Sequence, residues 1–194
     1  MAKLSFEDAQ ILMVEQNQLV ARTAHGAKRI GKNKAVHPLI LNLGEGITGL
    51  VARSGRSEIV DDTRLDSRYY CGHFAGLSEV AVPIWIDDQV KGVINCESQY
   101  PGFFNELHLE ILTEVADLVS SKIKMLESSK RLYKMQMLNR AVLDSTPHSF
   151  MLLDPDNVVQ SFNGTAMRVF REVLNTELHV GDDFWQFCTG RIRP

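Results

Sequence analysis

Apolar and polar positions alternate most clearly from Ser78 to Ser98, in the stretch SEVAVPIWIDDQVKGVINCES. Residues 80–86 and 90–96 are short runs rich in β-branched side chains, separated by Asp87, Asp88 and Gln89. Runs of that length and composition around a polar break predict two strands joined as a hairpin. Val80, Val82, Ile84 and Ile86 alternate with Ala81, Pro83 and Trp85, giving one aliphatic face and one mixed face. Pro83 has no N–H for a ladder bond, so it belongs at a sheet edge or a local break.

The same pattern organises the rest of the chain. Residues 8–14 and 19–23 are apolar runs around Glu15-Gln16-Asn17-Gln18, a second hairpin signal. The chain enters this strand almost at once, and a sheet of this kind usually has a helix on its free face, so sequence is expected upstream. Residues 38–43 predict a short strand. The glycines at 44, 46 and 49 lack both the GxGxxG context and the Lys-Ser/Thr of a phosphate loop. They predict a tight turn and a short helix ending at Ser54-Gly55. Residues 58–62 predict a strand entering an acidic turn. Residues 63–77 have no helical period and gather aromatic and titratable side chains, as a lid at a sheet edge does.

From Asn105, an N-cap residue followed by Glu106 and Glu110, an apolar stripe with spacings of three and four predicts a long helix between Glu106 and Leu143. Leu118, Met125 and Leu132 recur every seven residues, as do Val119, Leu126 and Tyr133, which is a coiled-coil spacing. Ser128 to Arg131 interrupt the stripe, so two helices broken near Ser128 are the alternative to one continuous helix. Beyond Pro147, residues 150–153 and 158–162 predict two strands around the turn Asp154-Pro155-Asp156-Asn157. A helix over residues 166–174 and a short one after Gly181 complete the pattern. Two strands cannot close a sheet alone, so this unit reads as cut off. The expected organisation is residues 1–125, a linking helix over 126–144, and a partial unit over 145–194.

Composition narrows the function class. Hydrophobic residues make up 44% and charged residues 23% of the 194 positions, with a net charge of −3. That is ordinary for a globular chain and gives no electrostatic footprint for nucleic acid. No apolar run reaches bilayer length, and no apolar signal segment opens the chain, so a cytoplasmic location is expected. Three widely spaced cysteines provide neither a disulfide framework nor a CxxC metal pair.

Specific motifs then carry a resemblance. Gly44-Glu-Gly-Ile-Thr-Gly-Leu-Val-Ala52, Glu58-Ile-Val-Asp-Asp62, Asp66-Ser-Arg-Tyr69, Ser78-Glu-Val-Ala-Val-Pro-Ile84 and Val90-Lys-Gly-Val-Ile94, with Phe104 and Leu107, resemble the GAF domain over residues 5–125. The resemblance implies an α+β fold: a six-stranded antiparallel sheet with helices on one face and a small-molecule pocket under loops on the other. It also implies that a first helix is absent here. Residues 138–187 resemble the opening half of a PAS domain, through Phe150-Met-Leu-Leu-Asp154 and Val158-Val-Gln-Ser-Phe-Asn163. In this order the parts resemble the sensory half of a bacterial signalling protein, such as a histidine kinase or a cyclic-di-nucleotide enzyme.

The implied reading is a non-catalytic sensor of a small molecule that acts as a homodimer through its long helix. Tyr70, Cys71, His73, Phe74, Glu79, Asn95 and Glu97 are the expected lining, with no metal site and no identified cofactor. A purely structural dimerisation module is one alternative. Another is a free methionine sulfoxide reductase, a GAF enzyme with a cysteine shortly before a Ser-Glu pair and two carboxylates closing the next strand. Here Cys71 precedes Ser78-Glu79, with Asn95 and Glu97 at the carboxylate positions. The Gly-rich turn carries Ile47-Thr48 where the reductases carry a second cysteine, so Cys96 would have to resolve the sulfenic acid. A bilin attachment pattern places histidine directly after its cysteine; Cys71-Gly72-His73 is offset by one residue. His148 and the acid pairs Asp61-Asp62 and Asp87-Asp88 read as surface turn groups.

Overall fold

The computed structural model describes residues 7–26, 29–30, 34–35, 39–70 and 75–188, in two units, Met1–Leu126 and Glu127–Pro194. The elements that begin in the first are β1 (Asp8–Glu15), β2 (Gln18–His25), β3 (Arg29–Ile30), β4 (Lys34–Ala35), β5 (Ile40–Asn42), α1 (Gly46–Ser54), β6 (Glu58–Val60), β7 (Ser78–Ile86), β8 (Gln89–Ser98) and α2 (Glu106–Asp144), the last continuing past Leu126 into the second. Both predicted hairpins form, and both close on two residues of positive φ: Gln16 and Asn17 at 48° and 67°, Asp87 and Asp88 at 48° and 59°. That is the type I′ geometry, whose twist matches the right-handed twist of the flanking strands.

The strands order β5-β2-β1-β8-β7-β6, every neighbouring pair antiparallel. Short β6 pairs with β7 from Glu79 to Ala81. Pro83 therefore lies past the end of that ladder, on the side of β7 where a missing N–H costs no pairing with β6.

Strand alternation divides the side chains between two cores. Leu12, Ala81 and Val93 face α1 and pack with its Ile47, Val51 and Ala52. Val80, Val82, Ile84, Ile94 and Cys96 face the other way and pack with Phe104, Leu112 and Ala116, the last two on α2. So α1 covers one face and α2 the opposite one. α1 ends at Gly55, whose φ of 69° and N–H bond to Val51 O make a left-handed cap. A Cβ there would also lie 2.3 Å from the Trp85 ring.

α2 is continuous over 39 residues, so the helix does not break near Ser128. Asn105 Oδ1 accepts from His108 N at 3.2 Å at its start, the predicted N-cap. Of its side chains, Leu112, Ala116 and Ser120 are buried, while Leu107, Leu118, Met125 and Leu132 are 60–70% exposed.

The second unit pairs β9 (Met151–Leu153) with β10 (Val159–Phe162) and adds α3 (Gly164–Val173) and α4 (Phe184–Cys188). Val159, Phe170 and Leu178 form its core. Asn163 is its joint. Its Oδ1 accepts from Ala166 N and from Phe150 N, both at 3.0 Å. Its Nδ2 donates to Leu143 O at 2.8 Å and to His148 O at 2.9 Å.

Candidate functional site

On the α1 face the central strands carry polar side chains where a core would take apolar ones. The antiparallel register sets Asp8 opposite Glu97, and Glu97 opposite Glu79. One step along, Gln10 lies opposite Asn95, and Asn95 opposite Ala81. Asp8, Gln10, Glu79, Asn95 and Glu97 are all 3–6% exposed. Three carboxylates and two amides thus share one face at the end of the sheet where β7 begins and β8 finishes. Burying them together is costly unless each is hydrogen-bonded.

Part of that cost is met by the covering elements. Thr48, in the first turn of α1, donates its hydroxyl to Glu79 Oε1 at 3.0 Å. Tyr69 OH donates to Glu97 Oε2 at 3.3 Å, and Gly76 N donates to the same oxygen at 3.0 Å. Asn95 Nδ2 reaches Glu97 Oε1 at 3.3 Å. A Cβ on Gly76 would lie 2.7 Å from Glu97 Cβ, so the segment closes down onto the carboxylate only because residue 76 is glycine. Two acceptors have no donor among the described residues: Gln10 Oε1 and Asn95 Oδ1.

The segment that carries Tyr69 is held by two repeated Asp-x-Arg clamps. Asp62 accepts from Arg64 N and takes its guanidinium at 2.8 and 2.6 Å. Asp66 accepts from Arg68 N at 2.9 Å and from its guanidinium at 3.0 and 2.7 Å. Arg68 also pairs with Glu58 on β6 at 2.8 Å. The hydrogen bond from Arg68 draws the Asp66 carboxyl below its ordinary range, and Arg64 does the same to Asp62.

Of the side chains expected to line a pocket, Glu79, Asn95 and Glu97 come together on one face. Cys71, His73 and Phe74 lie outside the described residues. Tyr70 is half exposed; its neighbour Tyr69 is the one that reaches Glu97. Cys96 projects from β8 into the α2 core, so the sheet separates its thiol from Asn95 and Glu97. The expectation that Cys96 could serve as a second thiol at this site is overturned by strand parity. Thr48, Gln10, Asp8 and Tyr69 were not anticipated. Gln10 and Asp8 have a sequence signal, polar residues at the parity of Leu12 in an apolar strand, which only the paired register makes readable. Among the described residues no group of three His, Cys, Asp or Glu side chains is arranged to hold a metal ion, and no helix is long and apolar enough to cross a membrane.

The family model described as GAF domain matches residues 1–124, which is more than half of the chain. The chain belongs to the GAF domain family. A curated relative is Protein YtsP of Bacillus subtilis (strain 168), 25% identical over 80 residues, 41% of this chain and 49% of that protein. The chain thus spans about half the length of that relative. Among solved structures, free methionine-R-sulfoxide reductase from Neisseria meningitidis in complex with its substrate superposes with a TM-score of 0.57 at 18% identity, covering 65% of this chain and 72% of that one. The GAF domain from Acinetobacter phosphoenolpyruvate-protein phosphotransferase gives a TM-score of 0.54 at 18% identity, covering 65% and 75%. At these identities the likeness is one of fold, and the neighbours that share it include both a reductase and a domain of a phosphotransferase.

Proposed function

We propose that this GAF domain is the small-molecule-sensing module of a bacterial signalling protein and that it reports occupancy through α2. The observation that carries the reading is the pair of buried acceptors, Gln10 Oε1 and Asn95 Oδ1, which have no donor among the described residues. An unsatisfied buried polar atom costs roughly 1–3 kcal/mol, and two side by side on a polar sheet face are more simply placed for an occupant than for stability. α2 packs on the reverse of the same strands through Leu112 and Ala116. A shift in β8 on binding is therefore felt one residue away by the helix, which selects between two packings of a helix pair. The second unit, with its PAS-like opening, would be the next receiver of that signal. Native mass spectrometry of the full chain, taken directly from cells, tests the reading. A co-purifying small molecule released on denaturation is expected; an empty protein that no metabolite stabilises would leave a structural dimerisation module instead.

A second reading rests on the structural likeness to the reductases and on Glu79, Asn95 and Glu97 sharing one face. In it, the Cys71 thiolate attacks the sulfoxide sulfur, the S–O bond breaks as the oxygen passes to Cys71 as a sulfenic acid, and methionine leaves. Two external thiols then return the sulfenic acid to the thiol with release of water and a disulfide, since Cys96 faces α2. Incubating free methionine sulfoxide and a thiol reductant with wild type and with Cys71→Ser decides the matter. Turnover lost in the variant supports a reductase, and equal rates remove it.

A further inference from the structure

The donors and acceptors on the α1 face do not balance. Among the described residues, the Thr48 hydroxyl, the Tyr69 hydroxyl, Gly76 N and Asn95 Nδ2 donate into it. All four are engaged by the carboxylates of Glu79 and Glu97. Among the described residues, the buried side-chain atoms left without a partner are both acceptors, Gln10 Oε1 and Asn95 Oδ1, on side chains 5% and 3% exposed. The assignment of oxygen and nitrogen in Asn95 is fixed by its neighbour. Rotating the amide would turn its oxygen toward Glu97 Oε1, acceptor against acceptor, and lose the Nδ2 bond. The register places Gln10 directly opposite Asn95, so one group can reach both. The next rung of the same ladder is Asp8 opposite Glu97, and Glu79 lies beyond it.

We propose that the site takes a small molecule bearing a positively charged ammonium or guanidinium group, whose N–H bonds are donated to Gln10 Oε1 and Asn95 Oδ1 beside the carboxylates of Asp8, Glu79 and Glu97. This rests on the sensing reading above and names the ligand class for that site. An anion is disfavoured on two grounds. It would add a like charge beside three carboxylates in a region of reduced dielectric, and it would leave both amide oxygens unpaired. A cation without N–H bonds gains the first term and not the second, which separates charge from hydrogen bonding.

The test uses the full chain, thermal melting and calorimetric titration at matched ionic strength. The probes are methylammonium, methylguanidinium, tetramethylammonium, acetate and inorganic phosphate. The N–H-bearing cations are expected to raise Tm saturably, while tetramethylammonium and both anions do not. Asn95→Leu and Gln10→Met each weaken binding of methylguanidinium by about tenfold or more, the loss of one charge-assisted hydrogen bond. Ligand-free Tm of Gln10→Met is expected at or above wild type, because it removes an unsatisfied atom, and this measurement separates lost binding from lost folding. Asn95→Leu also loses the Nδ2 bond to Glu97, so its ligand-free Tm is expected somewhat below wild type. Equal protection by tetramethylammonium, protection by the anions alone, or a co-purifying molecule without a basic nitrogen would overturn the ligand class and leave the sensing reading standing. No protection by any probe, together with an empty protein by native mass spectrometry, would overturn both.

Discussion

Glu97 shows how much of this site is decided by single positions. Its parity on β8 puts it on the α1 face, whereas Cys96 beside it is turned into the α2 core. Tyr69, Gly76 N and Asn95 then donate to its two oxygens. Glu79 accepts from Thr48 in the same space, and that bond gives a direct measurement. Thr48→Val keeps the shape and removes the hydroxyl, so the Glu79 carboxylate loses a buried donor. Urea denaturation is expected to show about 1.5–3 kcal/mol less stability, the usual worth of a hydrogen bond to a charged group. The Asp66–Arg68 clamp makes a pH statement. The folded carboxyl titrates below its unfolded range, mainly because Arg68 donates to it. Its contribution is therefore present above the unfolded pKa and is lost as pH falls through the folded value. Acid unfolding of Asp66→Asn is expected to be less steep below about pH 4 than that of wild type, with the two proteins differing most at neutral pH. The sequence placed Glu79, Asn95 and Glu97 in the expected lining, by their polarity in an apolar run and by the family resemblance, and the structure sets the three on one face. The sequence pointed to Tyr70 instead of Tyr69 because residues 63–77 have no period from which to read an orientation, and hydrogen bonding to Glu97 decides which tyrosine turns inward.

At the scale of elements, the hairpins were readable because strand alternation and a polar break are both local signals. β1 with β2 and β7 with β8 form where the pattern places them, and Gly55 ends α1 as its position after Ser54 implies. Their neighbours across the sheet were not readable. Nothing local says that β1 inserts beside β8, and that one pairing brings Asp8 and Gln10 to Glu97 and Asn95. The β7–β8 turn tests the local half of this account. Asp87 and Asp88 both sit at positive φ, where Asn-Gly is the favoured type I′ pair. Replacing them by Asn-Gly is expected to raise stability by about 0.5–1 kcal/mol in chemical denaturation, because relief of the left-handed backbone at a non-glycine residue exceeds the added freedom of glycine in the unfolded chain. The exposed Lys124–Asp87 ion pair that is lost contributes little at the surface. A fall in stability would show that the turn is held by its side chains and not by backbone geometry.

At the scale of the molecule, the question is what α2 does with the face it does not turn to the sheet. Leu112, Ala116 and Ser120 are buried on one side. Leu118, Met125 and Leu132, seven residues apart, are 70%, 62% and 62% exposed on another. A repeat of seven keeps one seam in line along a helix pair, and the side chains at it then interlock with a second copy. Magnitudes decide how strong such a pair is. Burying the three side chains from each of two helices, at about 1–2 kcal/mol apiece, yields on the order of 6–12 kcal/mol. Association costs about 4–15 kcal/mol. The seam is thus comparable in size to the cost of pairing, so in the proposed pair a second copy would be held reversibly, and a signal of a few kcal/mol would be enough to change its packing. Sedimentation equilibrium is expected to show a concentration-dependent homodimer. Leu118→Glu with Met125→Glu introduces facing like charges at two levels of the seam and is expected to leave a monomer. Both side chains are solvent-facing, so the variant's melting at low protein concentration is expected to match that of the dissociated wild type. A wild-type chain that remains monomeric at every concentration would remove the helix pair as the route of transmission.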